Sequence, residues 1–510
     1  MNNKLRKFLE TFRKKYLIFI IFFIVLQLRL LFAFQTSEFS DDFSYYALRQ
    51  VEHIKAKGVP FFEDDKSFFT QSTSIYPVFY YLIALFSYLM PVIWAAKIIP
   101  NISASLIVFV VYALSYKLTR DRTASLFAAF LSGFLPVFFI DTVNSISVFS
   151  VIIPLLLFSF YCFLMIPSNE KYVYHFVIAV SLFSFTHPSV FILLFGLLVY
   201  FIIMKSESIE TKSVEIEVII VSLFIILWSQ FLVYKNAFLI HGLNVISQNV
   251  PEQIMSLHFP ETDIFSAIYM MGIIPVFFAV HTLFQYMQEK KSRYMFFFLS
   301  YTLPVFFMLW FNVIRLRIGL IFLSAAFVVI SGRYFHDFMV YISKSKFAYL
   351  KGIFISVMIV IVALTMFIPA IDGSVESLEN RPSDELIDGL LLLKDYSDPE
   401  SVILSPLEIS HIVQYYSNRT TFIDRDFLLI SDINQKYEDY VTMYDTIYET
   451  EALEMLNKYS IDYIIFTPEI TETLDSEELA YVGDESCFME IYSKDDIKIY
   501  QVLCTLEEIR

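Results

Sequence analysis

Glycine and cysteine are scarce in this chain of 510 residues, which contains 11 Gly and 3 Cys. It has no glycine-rich loop of the kind that binds nucleotide phosphates. It also has no internal repeat, which argues against a transporter built from two repeated halves. The first apolar segment lacks a cleavage site made of small residues and has basic flanks, so it is predicted to be a retained membrane span, not a signal peptide.

Apolar residues dominate the rest of the composition. They make up 57% of the chain, which has 56 Phe and a mean hydropathy of +0.61. Long apolar runs recur from residue 16 to residue 369 and then stop, which indicates a polytopic α-helical membrane protein with a polar C-terminal domain. Eleven spans are predicted, at 16–34, 96–116, 123–140, 148–166, 172–187, 188–204, 218–235, 263–286, 294–311, 318–338 and 350–369.

The charges are distributed unevenly along the chain, whose formal net charge is −15. Residues 371–510 contain 32 acidic and 9 basic groups, whereas residues 1–370 contain 20 acidic and 28 basic groups. The acidity of the C-terminal part argues against nucleic acid as a partner. Most basic residues fall in the N-terminus and in the loops after even-numbered spans, so the N-terminus is predicted to be cytoplasmic. An odd number of spans then places the C-terminal domain outside.

Two domains are therefore predicted: a transmembrane domain at 1–370, with a first external loop at 35–95, and an extracytoplasmic α/β domain at 371–510. Within that loop, residues 77–90 are apolar but too short for a span, so we expect an interfacial helix. In the C-terminal domain we expect strands at 402–404, 420–423 and 462–466, helices at 407–416 and 433–459, and a hairpin at 488–503.

The three cysteines have different predicted environments. Cys162 lies inside a span, where a packed thiol is expected. Cys487 and Cys504 flank the hairpin, and a two-residue turn at Asp495-Asp496 would place them opposite each other. Outside the cell a disulfide is permitted, but two buried thiols are an equally good interpretation of the sequence.

The first external loop has the most distinctive chemistry. It contains two adjacent carboxylates, Asp41 and Asp42, followed by a helix that begins with aromatic residues. Carboxylates at a membrane face suit a lipid-linked, phosphate-bearing substrate. The plain alternative is that they cap the helix that follows, where a negative charge is favourable.

The sequence resembles the C-type (GT-C) glycosyltransferases, which are integral membrane enzymes that use polyprenyl-phosphate-linked sugar donors. The segment Asp42–Leu48 resembles the first acidic motif of that superfamily. The run from Leu48-Arg49 through Gly58-Val59-Pro60 to Ile75-Tyr76-Pro77 is similar to archaeal-type oligosaccharyltransferase catalytic subunits. In the C-terminal domain, Ser417–Asp424 resembles the strand after that family's acceptor-reading motif.

This resemblance implies a catalytic role for Asp42, with Asp41 as a second candidate. The family completes a divalent-metal site with a second acidic motif, whose two positions fall here on Ser145 and Ser147. Serine hydroxyls are poor ligands for Mg²⁺ or Mn²⁺, so Asp141 is the remaining candidate to share a metal ion with Asp42. The family's Trp-Trp-Asp motif aligns with Pro406-Leu407-Glu408, without either tryptophan.

Five further residues are candidates for substrate binding. Arg315 and Arg317 precede the tenth span, where a lipid phosphate would offset the cost of a charge near hydrocarbon. The alternative is that these arginines extend to the membrane interface. His187 would donate to a phosphate or sugar hydroxyl, or else bond to the backbone at a helix end. Glu252, in the external loop 236–262, and Glu408 are candidates for acceptor binding, or are solvated carboxylates.

The function implied by the resemblance is transfer of a sugar from a polyprenyl-phosphate-type donor to a glycan, lipid or protein acceptor on the outer side. The membrane would be a prokaryotic plasma membrane. The alternative is a degenerate family member that binds lipid-linked glycan or scaffolds an envelope complex, which the altered second acidic and Trp-Trp-Asp motifs favour.

Overall fold

The structure is a computed structural model that describes residues 3–69, 74–255, 263–288, 292–474 and 478–505. Part of the loop predicted at 236–262 lies outside the described residues. The chain divides into two compact units. The first comprises Met1–Ser37, Tyr76–Leu232 and Phe259–Glu379, and the second comprises Glu38–Ile75, Val233–His258 and Asn380–Arg510.

Most of the described chain is helical, as the sequence predicts. The helices, in chain order, are α1 (Asn3–Ala33), α2 (Phe43–Lys57), α3 (Pro77–Ser87), α4 (Val92–Ser105), α5 (Ile107–Thr119), α6 (Arg122–Gly133), α7 (Pro136–Val143), α8 (Phe149–Met165), α9 (Tyr172–Ser184), α10 (Val190–Ser206), α11 (Ser213–His241), α12 (Ile264–Met271), α13 (Ile273–Gln288), α14 (Arg293–Trp310), α15 (Leu316–Lys344), α16 (Lys351–Val362), α17 (Ile368–Glu379), α18 (Asp384–Tyr396), α19 (Ser410–Ser417), α20 (Ile433–Asp445), α21 (Glu449–Lys458) and α22 (Pro468–Leu474). A π-helical turn, Ala363–Phe367, joins α16 to α17.

A helix is present at each of the eleven predicted spans. Among the described residues, six helical segments are long and apolar enough to cross a membrane, or up to eight if each of two bent pairs is one span. The pair α6–α7 bends by 47° before Pro136, which forces the preceding residue out of helical geometry. The pair α12–α13 bends by 97° at Gly272, whose φ of 88° suits glycine. The apolar helices α8, α9 and α10 have 13 to 17 residues, so the number of crossings stays a prediction.

Close packing in the first unit relies on small residues. Gly196 of α10 faces α14, and a Cβ at this position would lie 3.3 Å from the Cα of Tyr301. Gly332 of α15 lies directly against Ser115 of α5. Small residues let helix backbones approach closely where lipid supplies no hydrophobic driving force.

The second unit contains a five-stranded mixed sheet with the order β2-β1-β3-β5-β4. The strands are β1 (Val402–Leu404), β2 (Thr420–Thr421), β3 (Ile461–Phe466), β4 (Phe488–Lys494) and β5 (Ile497–Val502). Strands β2, β1 and β3 are parallel, whereas β5 is antiparallel to both β3 and β4. The segment around Ser67 extends the β2 edge in parallel orientation, so residues of the first loop are part of this unit.

The C-terminal elements follow the prediction with two differences. The helix expected at 433–459 is interrupted at Thr446, where the side chain accepts a hydrogen bond from the backbone N–H of Tyr448 and ends the helical pattern. The strand expected at 420–423 is only two residues long. The hairpin turns at Asp495-Asp496, as expected, and a disulfide joins Cys487 to Cys504. Cys162 is a buried free thiol.

Candidate functional site

Asp41 and Asp42 have different environments although they are adjacent. Asp41 accepts two hydrogen bonds from Ser44, one from the backbone N–H at 3.1 Å and one from the hydroxyl at 2.5 Å. These bonds cap the first turn of α2. Of the two roles considered for these carboxylates, capping of the helix that follows is therefore the one that the contacts of Asp41 match.

Asp42 points to a different helix. Its side chain is 4% exposed, and Oδ1 accepts the backbone N–H of Ile412 at 2.9 Å. The hydroxyl of Ser410 lies 3.5 Å from Oδ2. Ser410 and Ile412 belong to the first turn of α19, where unpaired N–H groups and the helix dipole favour a carboxylate. The first loop is thus joined to the segment that follows the position of the Trp-Trp-Asp motif.

Burial has the largest effect on the pKa of Asp42. Removal from water raises the pKa of this carboxyl to about 6, and the nearby charges of His411 and Arg425, together with the N–H of Ile412, limit the rise. A carboxylate whose pKa lies near neutral pH accepts a proton more readily than an ordinary Asp and is still ionised at pH 7. These are the properties required of a general base.

His411 is a buried residue of this cluster that the sequence did not single out. Its ring lies 5.2 Å from that of Tyr46, and its Nδ1 is 3.0 Å from Oε1 of Gln414. The same Oε1 accepts a bond from Arg49. Because an amide oxygen only accepts, Nδ1 of His411 must be the donor. No local pattern in the sequence distinguishes this histidine.

Gln414 connects this histidine to the rest of the unit. Its amide nitrogen donates to Oγ1 of Thr421 at 2.8 Å and to Asp424 at 3.2 Å, which fixes the orientation of the amide. Arg49 also pairs with the buried carboxylate of Asp64, to which one N–H donates at 3.1 Å. The cluster is therefore a connected set of charged and polar groups, most of them buried.

Asp426 adds a second buried carboxyl with an altered pKa. Burial and the neighbouring charge of Asp424 raise its pKa to about 7. The backbone N–H of Asp426 donates to Asp424 at 2.9 Å, so the two acids are held in one turn after β2. Neither residue was a sequence-based candidate beyond the resemblance of the segment that ends at Asp424.

Glu408 lies in a short 3₁₀ turn, Leu407–Ile409, before α19. It lines a cavity of about 60 Å³, enough for a few water molecules, together with Arg425, Tyr437 and Thr473. Burial raises the pKa of this carboxyl. Glu408 is thus mostly enclosed, in contrast to the solvated carboxylate that was the alternative.

Glu252 has an exposed side chain. Its backbone N–H donates to the side chain of Asn434 at 3.1 Å, which anchors this part of the loop to the C-terminal segment of the same unit. The contact that anchors the loop is therefore made by the backbone of Glu252, not by its carboxylate.

In the first unit, the structure brings Asp141 and Arg317 together. The Nε of Arg317 lies 3.0 Å from Oδ1 of Asp141. The hydroxyl of Ser147 donates to the Asp141 carboxylate at 3.2 Å, and that of Ser145 donates to its backbone carbonyl at 2.6 Å. The segment from Asp141 to Ser147 is thus organised around one carboxylate, which pairs with a guanidinium from the first turn of α15.

The other two candidates of this unit are Arg315 and His187. Arg315 is exposed at the start of α15, where its carbonyl accepts the N–H of Gly319. His187 lies between α9 and α10, and its Nδ1 accepts the backbone N–H of Ser189 at 3.1 Å. Its ring contacts those of Phe149 and Tyr76. The backbone-bonded alternative for His187 therefore describes the structure.

Two buried cations of the first unit were missed by sequence reasoning. Arg29, inside α1, is 1% exposed and donates to Asn101 at 3.0 Å and to Thr142. Lys97 is 2% exposed and donates to the carbonyls of Ala33 and Thr36 at 2.6 and 2.9 Å. A charge inside an apolar run is costly without partners, and this was the signal in the sequence. Both cations tie the C-terminal end of α1 to its neighbours.

The residues between Asp141 and Ser147 do not fit a divalent metal ion. Mg²⁺ and Mn²⁺ favour several carboxylate or carbonyl oxygens, whereas Asp141 is the only carboxylate here and already pairs with Arg317. In the second unit, Glu449, Asp484 and Cys487 bring potential ligand atoms within 4.8 Å of one another. However, the sulfur of Cys487 is bonded to Cys504, so it is not a thiolate ligand.

No protein-family model and no curated protein sequence matches this chain. Solved structures do. The oligosaccharyltransferase of Archaeoglobus fulgidus, tethered to an acceptor peptide, matches with a TM-score of 0.69 and 14% identity over 90% of this chain and 69% of that chain. ArnT from Cupriavidus metallidurans, bound to undecaprenyl phosphate, matches with a TM-score of 0.57 and 12% identity over 96% and 98%.

A third similar structure is the arabinofuranosyltransferase AftD from Mycobacteria, with a TM-score of 0.59 and 13% identity over 95% of this chain and 40% of that chain. These three proteins are GT-C glycosyltransferases. At such low identities the likeness concerns the fold alone. The chain therefore has a GT-C fold similar to that of the archaeal oligosaccharyltransferase, as the sequence resemblance implies.

Proposed function

We propose that this protein is a membrane glycosyltransferase that moves a sugar from a polyprenyl-phosphate-type donor to an acceptor on the outer side. The observation that carries the proposal is Asp42: a buried carboxylate, held by α19, with a pKa of about 6. The fold supports it, because structures with this fold include ArnT bound to undecaprenyl phosphate and the archaeal enzyme in complex with an inhibitory peptide and a dolichol-phosphate.

In the proposed reaction, an acceptor hydroxyl or amide attacks the anomeric carbon of the donor sugar. The bond from that carbon to the phosphate oxygen breaks, and the lipid phosphate leaves with the electron pair. Asp42 takes the proton of the attacking group. Arginine at 315 or 317 stabilises the negative charge on the departing phosphate, as planar guanidinium groups do in bidentate hydrogen bonds.

Metal dependence is a separate part of the proposal. The archaeal enzyme was solved with zinc and sulfate, but the donor set at Asp141 argues against a metal ion held there. A divalent ion held near Asp42 would polarise the acceptor and strengthen it as a nucleophile.

The alternative is a protein that binds lipid-linked glycan without transferring it. It is favoured by the engagement of Asp42, whose Oδ1 accepts the N–H of Ile412 within a buried cluster. It predicts retention of lipid-linked sugars without turnover.

The test is incubation of the purified full chain, in nanodiscs, with radiolabelled sugars linked to undecaprenyl phosphate or diphosphate, with and without chelator. The acceptors supplied are a peptide containing an Asn-x-Thr sequence, a lipid glycan and an envelope polysaccharide. The proposal predicts labelled product with at least one donor and acceptor pair. Binding of every donor without release of lipid phosphate would instead establish the alternative.

A further inference from the structure

Asp141, near the end of α7, and Arg317, in the first turn of α15, form a charged pair. Asp141 accepts hydrogen bonds through both its carboxylate and its backbone carbonyl, from Ser147 and Ser145 respectively. Both serine hydroxyls are thus donors directed at Asp141. The two hydrogen bonds restrain this segment around one carboxylate. Because both hydroxyls donate their protons to Asp141, they are not oriented as ligands for a cation.

That carboxylate is directed at Arg317. The pair is made through Nε, at 3.0 Å from Oδ1. Nε is one of five N–H donors of a guanidinium, and the remaining four lie on the two terminal nitrogens. Among the residues that the structure describes, those terminal nitrogens have no hydrogen-bond partner, and the Arg317 side chain is 55% exposed.

An arginine held through Nε has its planar end fixed in direction. Holding the side chain in one orientation reduces the conformational entropy that ligand binding must otherwise remove. The free edge of the guanidinium presents parallel N–H groups, the geometry that matches two oxygens of a phosphate. Asp141 also balances part of the charge while the donor is absent.

We propose that Asp141 is a positioning residue that aims Arg317 at the phosphate of the lipid donor, and that this pair replaces a divalent metal ion at the end of α7. The inference rests on the proposed function for the identity of the ligand as a lipid phosphate. It assigns the phosphate to Arg317 in preference to Arg315.

The test measures binding of undecaprenyl phosphate to the full chain in nanodiscs, together with the melting temperature of each variant. Arg317→Gln is expected to weaken binding by about tenfold to a hundredfold, the loss typical of one charge-assisted contact. Asp141→Asn is expected to weaken it less, by a few fold. The matched control is Arg381→Gln, which removes the arginine of another exposed Arg–Asp pair, made with Asp384 at 3.7 Å, and is expected to leave binding unchanged.

The charge-exchanged double variant, Asp141→Arg with Arg317→Asp, separates positioning from simple stabilisation. It keeps an ion pair but moves the cation to the other side, so the melting temperature should recover while phosphate binding stays weak. Recovery of both would show that the pair is structural and would overturn the proposal. So would wild-type binding by Arg317→Gln.

Metal dependence gives an independent readout. If the wild-type protein transfers sugar, a chelator should not impair the contribution that Asp141 makes to transfer. Loss of transfer in chelator that Mn²⁺ restores in the wild type, but not in Asp141→Asn, would identify Asp141 as a metal ligand and overturn the inference. A wild-type protein that binds the lipid phosphate through Arg317 and transfers nothing would instead contradict the proposed function alone.

Discussion

At the scale of single residues, the adjacent carboxylates Asp41 and Asp42 make different contacts and are assigned different roles. Asp41 caps its own helix, whereas Asp42 is buried against the first turn of α19. The sequence identified the pair and ranked Asp42 first by resemblance. It did not distinguish the two environments, because the partner of Asp42 is Ile412, separated from it by 370 residues.

The pKa of Asp42 predicts the pH dependence of the reaction. A base must be ionised, so kcat/KM should rise with pH through about 6 and level off above pH 7. The variant His411→Gln removes a group whose charge lowers this pKa, so its profile should shift to higher pH. The measurement is kcat/KM from pH 5 to pH 8. A profile that is flat over this range in the wild type would exclude Asp42 as the base.

Other single residues were beyond the reach of sequence reasoning. Arg29 and Lys97 lie inside or beside apolar runs, and their partners are carbonyl and side-chain groups of distant helices. Asp141 was a candidate metal ligand, and Arg317 was a candidate for binding a phosphate. Only the folded chain reveals that they pair with each other.

At the scale of elements, Arg419 joins three segments of the second unit. It is 5% exposed and donates to the carbonyls of Lys394 and Ser397, each at 2.6 Å, and to the carbonyl of Ser417 at 3.1 Å. It thus satisfies the C-terminal carbonyls of α18 and fixes the start of β2.

Arg419→Met is therefore expected to destabilise the second unit by about 3 kcal/mol, since it leaves buried carbonyls without donors. Arg419→Lys should recover only part of this loss, because one ammonium group does not reproduce the planar fork. Thermal unfolding followed by limited proteolysis of the C-terminal segment measures both. Equal stability of wild type and Arg419→Met would contradict the assignment.

The packing of α18 on the hairpin gives a second prediction. A Cβ at Gly389 would lie 3.0 Å from the ring of Tyr492 and 3.2 Å from Ile499. Gly389→Val should lower the melting temperature of the second unit by overpacking, at a cost of about 1–3 kcal/mol. Gly483→Val is the matched control, because a Cβ there meets nothing within 4 Å. Similar melting temperatures for the two variants would contradict this packing.

The sequence predicted most elements because their signals are local. Apolar runs identified a helix at each of eleven positions, and alternation with turn residues identified the hairpin around Asp495-Asp496. The interruption at Thr446 was missed because it depends on a side chain that bonds to the backbone two residues later. The participation of residues near Ser67 in the sheet was missed because strand partners at long range leave no local pattern.

At the scale of the whole molecule, the distribution of charge predicts a cytoplasmic N-terminus and an external C-terminal domain. Cysteines introduced at Asp495 and at Arg122, both exposed positions, should react from opposite sides of the membrane. In intact cells, a membrane-impermeant thiol reagent should label Asp495→Cys and should label Arg122→Cys only after lysis. Labelling in the reverse order would invert the topology and remove the outer side as the place of transfer.

The proposed function depends most on Asp42 as the base of glycosyl transfer. The decisive measurement compares sugar transfer and undecaprenyl phosphate binding by Asp42→Asn and by Asp41→Asn, which makes the same change at the adjacent residue. Burial of the charge raises the pKa of Asp42 from 3.8 to about 6. The folded protein therefore loses stability as the pH rises through that interval and the carboxyl ionises. Because Asp42→Asn removes this charge, the variant should be as stable as the wild type at pH 7 or more stable.

Asp42→Asn is expected to lower kcat by about 10²–10⁴-fold, while it still binds the lipid phosphate and unfolds at the wild-type temperature or above. Asp41→Asn should retain transfer within a few fold, because Asn caps a helix about as well as Asp. Transfer by Asp42→Asn at the wild-type rate would contradict the assignment of Asp42 as the base.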